Sequence, residues 1–162
     1  MEIAAEIRES LGDEWIPVIY REKVRSQRTR AYHINVPKKE NRAEIFHTLL
    51  GIELKVGNYR FTCPDLSTAR YLQVFARIGC QDVAIPYDIT KISFLADEIE
   101  ISWHKTILLF EEKTGEKAAS ARGRMRANLI KELRQEIEEI GAGALMPEFK
   151  QSTKQRDAKN SK

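Results

Sequence analysis

The β-structure of this chain is clearest in residues 52–63, which read IELKVGNYRFTC. Apolar residues alternate with Glu53 and Lys55 in the first half, which is the period-two pattern of a strand with one face toward a core. The Gly57-Asn58 pair then favours a turn, because both residues tolerate positive φ, and residues 59–63 continue as a returning strand. This stretch therefore predicts a β-hairpin.

A helix and another strand are predicted directly after the hairpin. Asp65 or Ser67 provides a helix N-cap, apolar residues follow at helical spacing, and Gly79 ends the helix. Residues 82–87 then have the composition of a short buried strand. A connection of about twenty residues between the two strands is long enough for a right-handed parallel crossover, which we expect over Arg60–Tyr87.

The residues before the hairpin predict a helix, a first hairpin and a second helix. Helical spacing of apolar residues covers Glu2–Leu11. Alternating residues in Trp15–Val24 and Ala31–Val36 predict two strands, which Arg25–Arg30 would join as a cationic turn. Apolar residues on one face and a terminal glycine predict the second helix over Glu40–Leu50.

The C-terminal half has a helical pattern. Two long helices are predicted, one from Ile89 to Thr114-Gly115 and one over Ala118–Ile140, whose narrow apolar seam suits packing on the domain or pairing with another helix. The predicted fold is therefore α+β, a single domain over residues 1–147. It has a mixed sheet of about five strands, made of two hairpins and one strand, covered by helices. Residues 148–162 are polar and basic and predict a disordered tail.

Composition defines the broad class of the protein. The chain has 162 residues, of which 42% are hydrophobic and 31% charged, as in an ordinary globular protein. Its two cysteines, Cys63 and Cys80, form no C-x-x-C pair, and the N-terminus has no secretory apolar segment. The apolar runs are too short to cross a membrane. We therefore expect a cytoplasmic protein with reduced, buried thiols and no membrane association.

Positive charge is concentrated in one part of the sequence. Residues 15–45 contain eight Lys and Arg residues against three Glu, although the net charge of the whole chain is only +3. Such a cluster attracts a polyanion. Further arginines open the last helix, and Tyr20, Tyr32 and Tyr59 lie among the basic strands, where aromatic rings suit unstacked bases. The predicted nucleic-acid-binding residues are Arg21, Lys23, Arg25, Arg28, Arg30, Lys38, Lys39, Arg42, Arg122, Arg124 and Arg126.

These features predict a non-enzymatic protein that binds nucleic acid, as RNA or a single strand, or another polyanion. The basic hairpin would be the binding element, with no cofactor and no metal. A second hypothesis is a protein-interaction or oligomerisation module. In that case the acidic first helix and the basic hairpin are complementary surfaces, or the last helix self-associates.

A third hypothesis is a metal-dependent nuclease. The triplet Glu53-Leu-Lys55 in an alternating strand resembles the E-x-K half of the PD-(D/E)xK nuclease motif. The resemblance implies an acid that binds a divalent metal and a lysine that steadies the attacking water or the phosphate. The motif requires a second acid on the preceding strand, and residues 32–36, our assignment for that strand, contain no Asp or Glu.

Two further patterns suit a metal or a nucleophile. Glu44 with His47, and Glu100 with His104, each place an acid and an imidazole about one turn apart on a predicted helix. Cys63 or Cys80 would be the nucleophile of a Cys–His pair. Residues of these types more often serve as surface histidines and as buried thiols.

Overall fold

Five strands in residues 2–143, the part of the chain that the computed structural model describes, form two separate antiparallel sheets. The larger sheet is a meander of β2 (Ala43–Thr48), β3 (Gly51–Val56) and β4 (Tyr59–Cys63), and the smaller sheet pairs β1 (Thr29–His33) with β5 (Asp82–Pro86). The α+β class is confirmed, but the strands do not form one mixed sheet. The predicted tail over residues 148–162 and the end of the predicted domain, residues 144–147, lie outside the described residues.

The helices enclose the sheets and share one hydrophobic core. They are α1 (Ile3–Leu11), α2 (Ile16–Ile19) with a π-helical continuation over Tyr20–Val24, α3 (Leu66–Ile78), α4 (Ile89–Thr114) and α5 (Ala119–Ile140). No helix within residues 2–143 has both the length and the apolar composition of a membrane span.

The local signals around α3 are confirmed. The Asp65 side chain accepts a hydrogen bond of 2.7 Å from the backbone N–H of Thr68 and caps the helix. Gly79 ends it with φ of +91°, and a Cβ there would collide with the backbone of Lys39. Only glycine therefore fits where the basic segment 37–42 crosses the end of α3.

The segment Trp15–Val24 is helical, although alternation predicted a strand of the first hairpin. Ile16, Ile19 and Tyr20 are all buried, which is the spacing of a helix face. Pro17 lies in the first turn, where its missing N–H costs no hydrogen bond. A short apolar run fits both periods, and packing against α4 and α5 favours the helix.

The predicted second helix, Glu40–Leu50, is wrong, because this segment contains strand β2. It pairs antiparallel with β3 along its whole length. Leu49 and Leu50, which supported the helical pattern, are fully exposed in the turn between the strands. The backbone ladder with β3, which has no local sequence signal, determines the structure here.

The predicted parallel crossover over Arg60–Tyr87 is also wrong. β5 pairs antiparallel with β1, from Thr29 opposite Pro86 to His33 opposite Asp82, and not with β4. The strand predicted within residues 31–36 therefore exists, but its partner is distant in sequence. Pairing over such a distance has no local sequence signal.

Two buried tyrosines form hydrogen bonds with the edge of β5 that does not pair with β1. Tyr20 Oη accepts a hydrogen bond from the N–H of Ala84 (2.9 Å) and donates to the carbonyl of Gly141 (2.8 Å). Tyr71 Oη donates to the carbonyl of Ala84 (2.6 Å). Both rings contact Phe75. The backbone N–H and carbonyl of Ala84 are thereby satisfied without a third strand.

The apolar seam of the last helix, α5, packs against other helices of the same chain. Leu129, Leu133 and Ile137 are each at most 1% exposed, and α5 packs against α1, α2 and α3. The packing alternative of the prediction is therefore the one observed within residues 2–143. Self-association through this seam would require α5 to leave the core.

Candidate polyanion-binding surface

Most of the predicted nucleic-acid-binding cations are engaged by carboxylates. Six of the eleven form ion pairs with acids of the same chain. The pairs are Arg21–Glu22 (3.3 Å), Lys23–Glu98 (2.7 Å), Lys38–Glu138 (3.4 Å), Arg42–Glu44 (3.5 Å), Arg122–Glu111 and Arg126–Glu40 (2.6 Å). Formal charge in the sequence therefore overstates the charge that is available to a ligand.

Arg25 is not at the tip of an exposed turn. Its side chain is 8% exposed, and Nη1 donates a hydrogen bond of 3.1 Å to Oγ1 of Thr29. With Arg8 and Arg21 it lines a cavity of about 630 Å³ at the end of α5. The predicted cationic hairpin tip therefore does not exist, because its first strand is helical and turns Arg25 inward.

Four exposed cations of the predicted set form no ion pair with any residue of 2–143. They are Arg28, Arg30, Lys39 and Arg124. Lys39 lies in the segment at the end of α3, and Arg124 lies in the second turn of α5. Arg28 and Arg30 lie close together at β1. Within the predicted set, they are the two cations that neighbour an aromatic ring and have no acidic partner in residues 2–143.

Each of these two arginines lies over a tyrosine. The Arg28 Cζ atom is 5.4 Å from the centre of the Tyr87 ring, and the Arg30 Cζ atom is 5.6 Å from the centre of the Tyr32 ring. Both distances fall in the range of cation–π contacts. We call these four residues the Arg–Tyr surface.

The pairing of β1 with β5 places the Arg–Tyr surface on one face. Arg28, Arg30 and Tyr32 are each two residues apart, so their side chains leave the chain on the same side. Tyr87 extends the register opposite Arg28, to whose carbonyl it donates a backbone hydrogen bond of 3.3 Å. Directly opposite residues of an antiparallel pair share a face. Two cations and two rings are therefore presented side by side.

The two rings differ in accessibility. Tyr87 is 57% exposed, whereas Tyr32 is partly buried against the core. Burial raises the pKa of Tyr32, so its hydroxyl stays protonated at neutral pH. Tyr87 therefore offers the larger open ring face, and Tyr32 the more rigidly held one.

The aromatic residues were only partly predicted. Of the three tyrosines in the sequence prediction, Tyr32 is in the Arg–Tyr surface, Tyr20 is in the core, and Tyr59 is in the other sheet. Tyr87 was missed, although it was included as the last residue of a predicted strand. Only the register of β1 with β5 shows that it faces Arg28.

Glu53 and Lys55 lie on the outer face of the larger sheet, as the alternation predicted. Glu44 is directly opposite Lys55 on β2, so the strand before E-x-K does contain an acid. The Glu53 carboxylate accepts a hydrogen bond of 2.9 Å from Arg60, and Glu44 is 3.5 Å from Arg42. In this arrangement both carboxylates are paired with arginines.

The acid–histidine pairs are not brought together as metal sites. Glu44 and His47 are three apart on a strand, so their side chains point to opposite faces. Glu100 accepts hydrogen bonds from Arg70 at 2.7 and 3.0 Å, while His104 is exposed. Within residues 2–143 no three His, Cys, Asp or Glu side chains cluster as metal ligands.

Both thiols are buried in the core. Burial raises the pKa of Cys63 to about 11 and that of Cys80 to about 12. A thiol with so high a pKa is almost entirely protonated at neutral pH and is a poor nucleophile. The structure thus supports the interpretation of these cysteines as core residues.

The chain matches no known protein family, no curated protein and no solved structure among those with which it was compared.

Proposed function

We propose that this protein binds single-stranded nucleic acid through the Arg–Tyr surface and does not catalyse a reaction. The observation that carries the proposal is the pair of exposed arginines, Arg28 and Arg30, each over a tyrosine ring and without a carboxylate partner in residues 2–143. In agreement with its reduced, buried thiols, the protein is proposed to act in the cytoplasm.

The chemistry of this surface suits a single strand. Guanidinium groups bind phosphates with parallel hydrogen bonds, and tyrosine rings or guanidinium planes stack on unpaired bases. Arg28 and Arg30 are about 6.7 Å apart along the strand, so they are positioned to contact neighbouring phosphates. A duplex keeps its bases stacked on each other and would use only the charges. A single strand therefore gains more from this arrangement.

The decisive experiment removes the two arginines. The Arg28→Ala/Arg30→Ala variant is expected to bind a fluorescent single strand about 30-fold more weakly, at about 1 kcal/mol for each lost phosphate contact. The slope of affinity against salt should fall by about 1.4 in logarithmic units, because each contact to a single strand contributes about 0.7. Fluorescence anisotropy over a salt series measures both quantities.

The matched control is Arg21→Ala/Arg42→Ala, which removes the same formal charge from two exposed, ion-paired residues. This variant should lose less than about threefold in affinity. Equal losses in the two variants would show that binding follows net charge and would contradict the assignment. Undetectable binding by the natural chain at low salt would contradict the function itself.

The nuclease alternative gains support from one observation, the position of Glu44 opposite Lys55. If it were correct, added Mg²⁺ or Mn²⁺ would produce cleavage of RNA or DNA, and Glu53→Gln would abolish it by removing a metal ligand. We expect no metal-dependent cleavage, since Arg60 and Arg42 neutralise the two acids. Reproducible cleavage that disappears in Glu53→Gln would replace the binding proposal.

A further inference from the structure

Helix α4 exposes an apolar stripe that the fold does not cover. Phe94 is 74% exposed, Ile101 51% and Leu108 64%. These residues are seven apart, which is close to two helical turns, so they lie on one line along the helix. We call them the α4 stripe.

The core of the chain uses other faces of the same helix. Leu95, Ile99, Trp103 and Phe110 are buried and make the contacts of α4 with the rest of the protein. The α4 stripe therefore adds nothing to the packing of residues 2–143. The three side chains are about 10 Å apart along the helix, with charged residues between them. Large apolar side chains that recur on one helix face without packing on residues 2–143 suit a docking surface.

A row of alternating charges accompanies the stripe. Lys91, Glu98, Lys105 and Glu112 are also seven apart and lie one turn along the helix from the apolar positions. The row has the signs plus, minus, plus, minus. When the row is reversed, every position has the opposite sign. Two copies of the row are therefore complementary when their helices run antiparallel.

We propose that the α4 stripe docks against the same stripe of a second copy of this chain, with the two helices antiparallel. The two-fold axis passes at Ile101, which meets Ile101 of the second copy. Phe94 then faces Leu108 of the second copy, and Leu108 faces its Phe94. The dimer is independent of the Arg–Tyr surface and goes beyond the proposed binding function.

The charges select this orientation. In the antiparallel arrangement Lys91 faces Glu112 of the second copy, and Glu98 faces its Lys105. A parallel two-fold arrangement would turn this row toward the opposite flank of the second helix, so Lys91 would not meet Glu112 and Glu98 would not meet Lys105.

Two of the four charges in the row are available for this role. Lys91 and Glu112 form no ion pair with a residue of 2–143. Glu98 and Lys105 contact Lys23 and Glu14 of their own chain, each at 2.7 Å. These pairs are exposed and can be shared with a partner.

The expected dimer is reversible. The contact from Lys91 to Glu112 extends about 32 Å along the helix, but it buries only one side of one helix per copy. Its area is therefore smaller than the roughly 1,600 Å² of a typical stable interface. We expect a dimer that dissociates when the protein is diluted.

Cysteine crosslinking tests the register. Ile101→Cys lies on the two-fold axis and should form a disulfide-linked dimer under mild oxidation. Leu108→Cys is the matched control, because in the antiparallel dimer the two copies of residue 108 are about 21 Å apart along the helix. The natural chain, whose cysteines are both buried, should not crosslink.

A charge exchange tests the pairing without new cysteines. Lys91→Glu and Glu112→Lys each place like charges opposite each other and should weaken the dimer about tenfold, whereas the combined variant should recover it. Sedimentation velocity over a dilution series gives the dimer fraction. Circular dichroism shows whether each variant remains folded, which we expect for substitutions at exposed positions.

Crosslinking of Ile101→Cys but not of Leu108→Cys, together with recovery in the combined charge variant, would support the antiparallel dimer. Equal crosslinking of both cysteine variants would indicate a parallel or random contact and would overturn the proposal. A folded chain that stays monomeric at every concentration, with no crosslink at residue 101, would also overturn it.

Discussion

Two pairs of tyrosines lie at the small sheet in different environments. Tyr20 and Tyr71 are fully buried, and their hydroxyls bond to the backbone of Ala84 at the free edge of β5. Tyr32 and Tyr87 lie on a more open face, beneath Arg30 and Arg28. Tyrosine side chains thus stabilise the small sheet at its free edge and contribute to its exposed surface elsewhere.

This difference means that stability and binding are separable within one sheet. The buried hydroxyls replace a missing strand, so their loss leaves backbone groups without partners. The outer rings form no such bond among residues 2–143, and their value depends on the ring face and the cation above it. Substitutions of the two pairs are therefore expected to affect different measurements.

The largest expected difference is in alkaline titration. Burial raises the pKa of Tyr20 from 10.0 to about 12 and that of Tyr71 well above its ordinary value. Stability should be unchanged below pH 10 and should fall as the pH rises toward 12, because the unfolded chain releases these protons first. The loss from Tyr20 alone is about 3 kcal/mol.

Absorbance at the wavelength of tyrosinate measures this titration directly. Tyr20 and Tyr71 should ionise only with the loss of circular dichroism, because both are fully buried. Reversible ionisation of Tyr20 and Tyr71 without unfolding would contradict this account.

Removal of single hydroxyl groups should give the next largest difference. Tyr71→Phe leaves the carbonyl of Ala84 without its bond and should lower the free energy of unfolding by about 2 kcal/mol. Tyr20→Phe breaks two bonds and should cost at least as much. The control Tyr32→Phe should change stability by less than about 0.5 kcal/mol. Chemical denaturation gives all three values, and an equal cost at Tyr32 and Tyr71 would be inconsistent with this account.

The smallest expected effect concerns the outer ring that stacks on a base. Tyr87→Leu should weaken binding of a single strand by about 1 kcal/mol, because the base loses its aromatic platform. Tyr87→Phe keeps the ring and should retain the affinity of the natural chain. Neither substitution should move the melting temperature. An affinity that falls as much in Tyr87→Phe as in Tyr87→Leu would show that the hydroxyl, and not the ring, contacts the ligand.

The parts of the fold that were predicted correctly have strong local signals. The hairpin of β3 and β4 has alternation and a Gly57-Asn58 turn, and α3 has an Asp65 cap and a Gly79 end. The two long helices have apolar residues at regular spacing over many turns. Errors occurred at Trp15–Val24 and in the segment of β2, where short apolar runs fit a helix and a strand equally well.

The sequence predicted the positively charged residues of the candidate site but not their arrangement in space. Arg28 and Arg30 were included in the predicted set, but so were Arg122 and Arg126, which carboxylates engage. No sequence pattern distinguishes these cases, because Glu40, the partner of Arg126, is 86 residues away in the chain. The error about Arg25 followed directly from the wrong assignment of the helix before it.

The sequence by itself determined the α+β class, the hairpin of β3 and β4 and the long helices. These properties depend on residues close together in the chain, where caps, turns and hydrophobic period act. Only the tertiary structure decided that α2 is helical, that β5 pairs with β1, and that Arg28 and Arg30 lie over Tyr87 and Tyr32 without an ion pair to any described residue. The physical reason is that strand pairing and ion pairing join distant residues, and their geometry is set by the packed core.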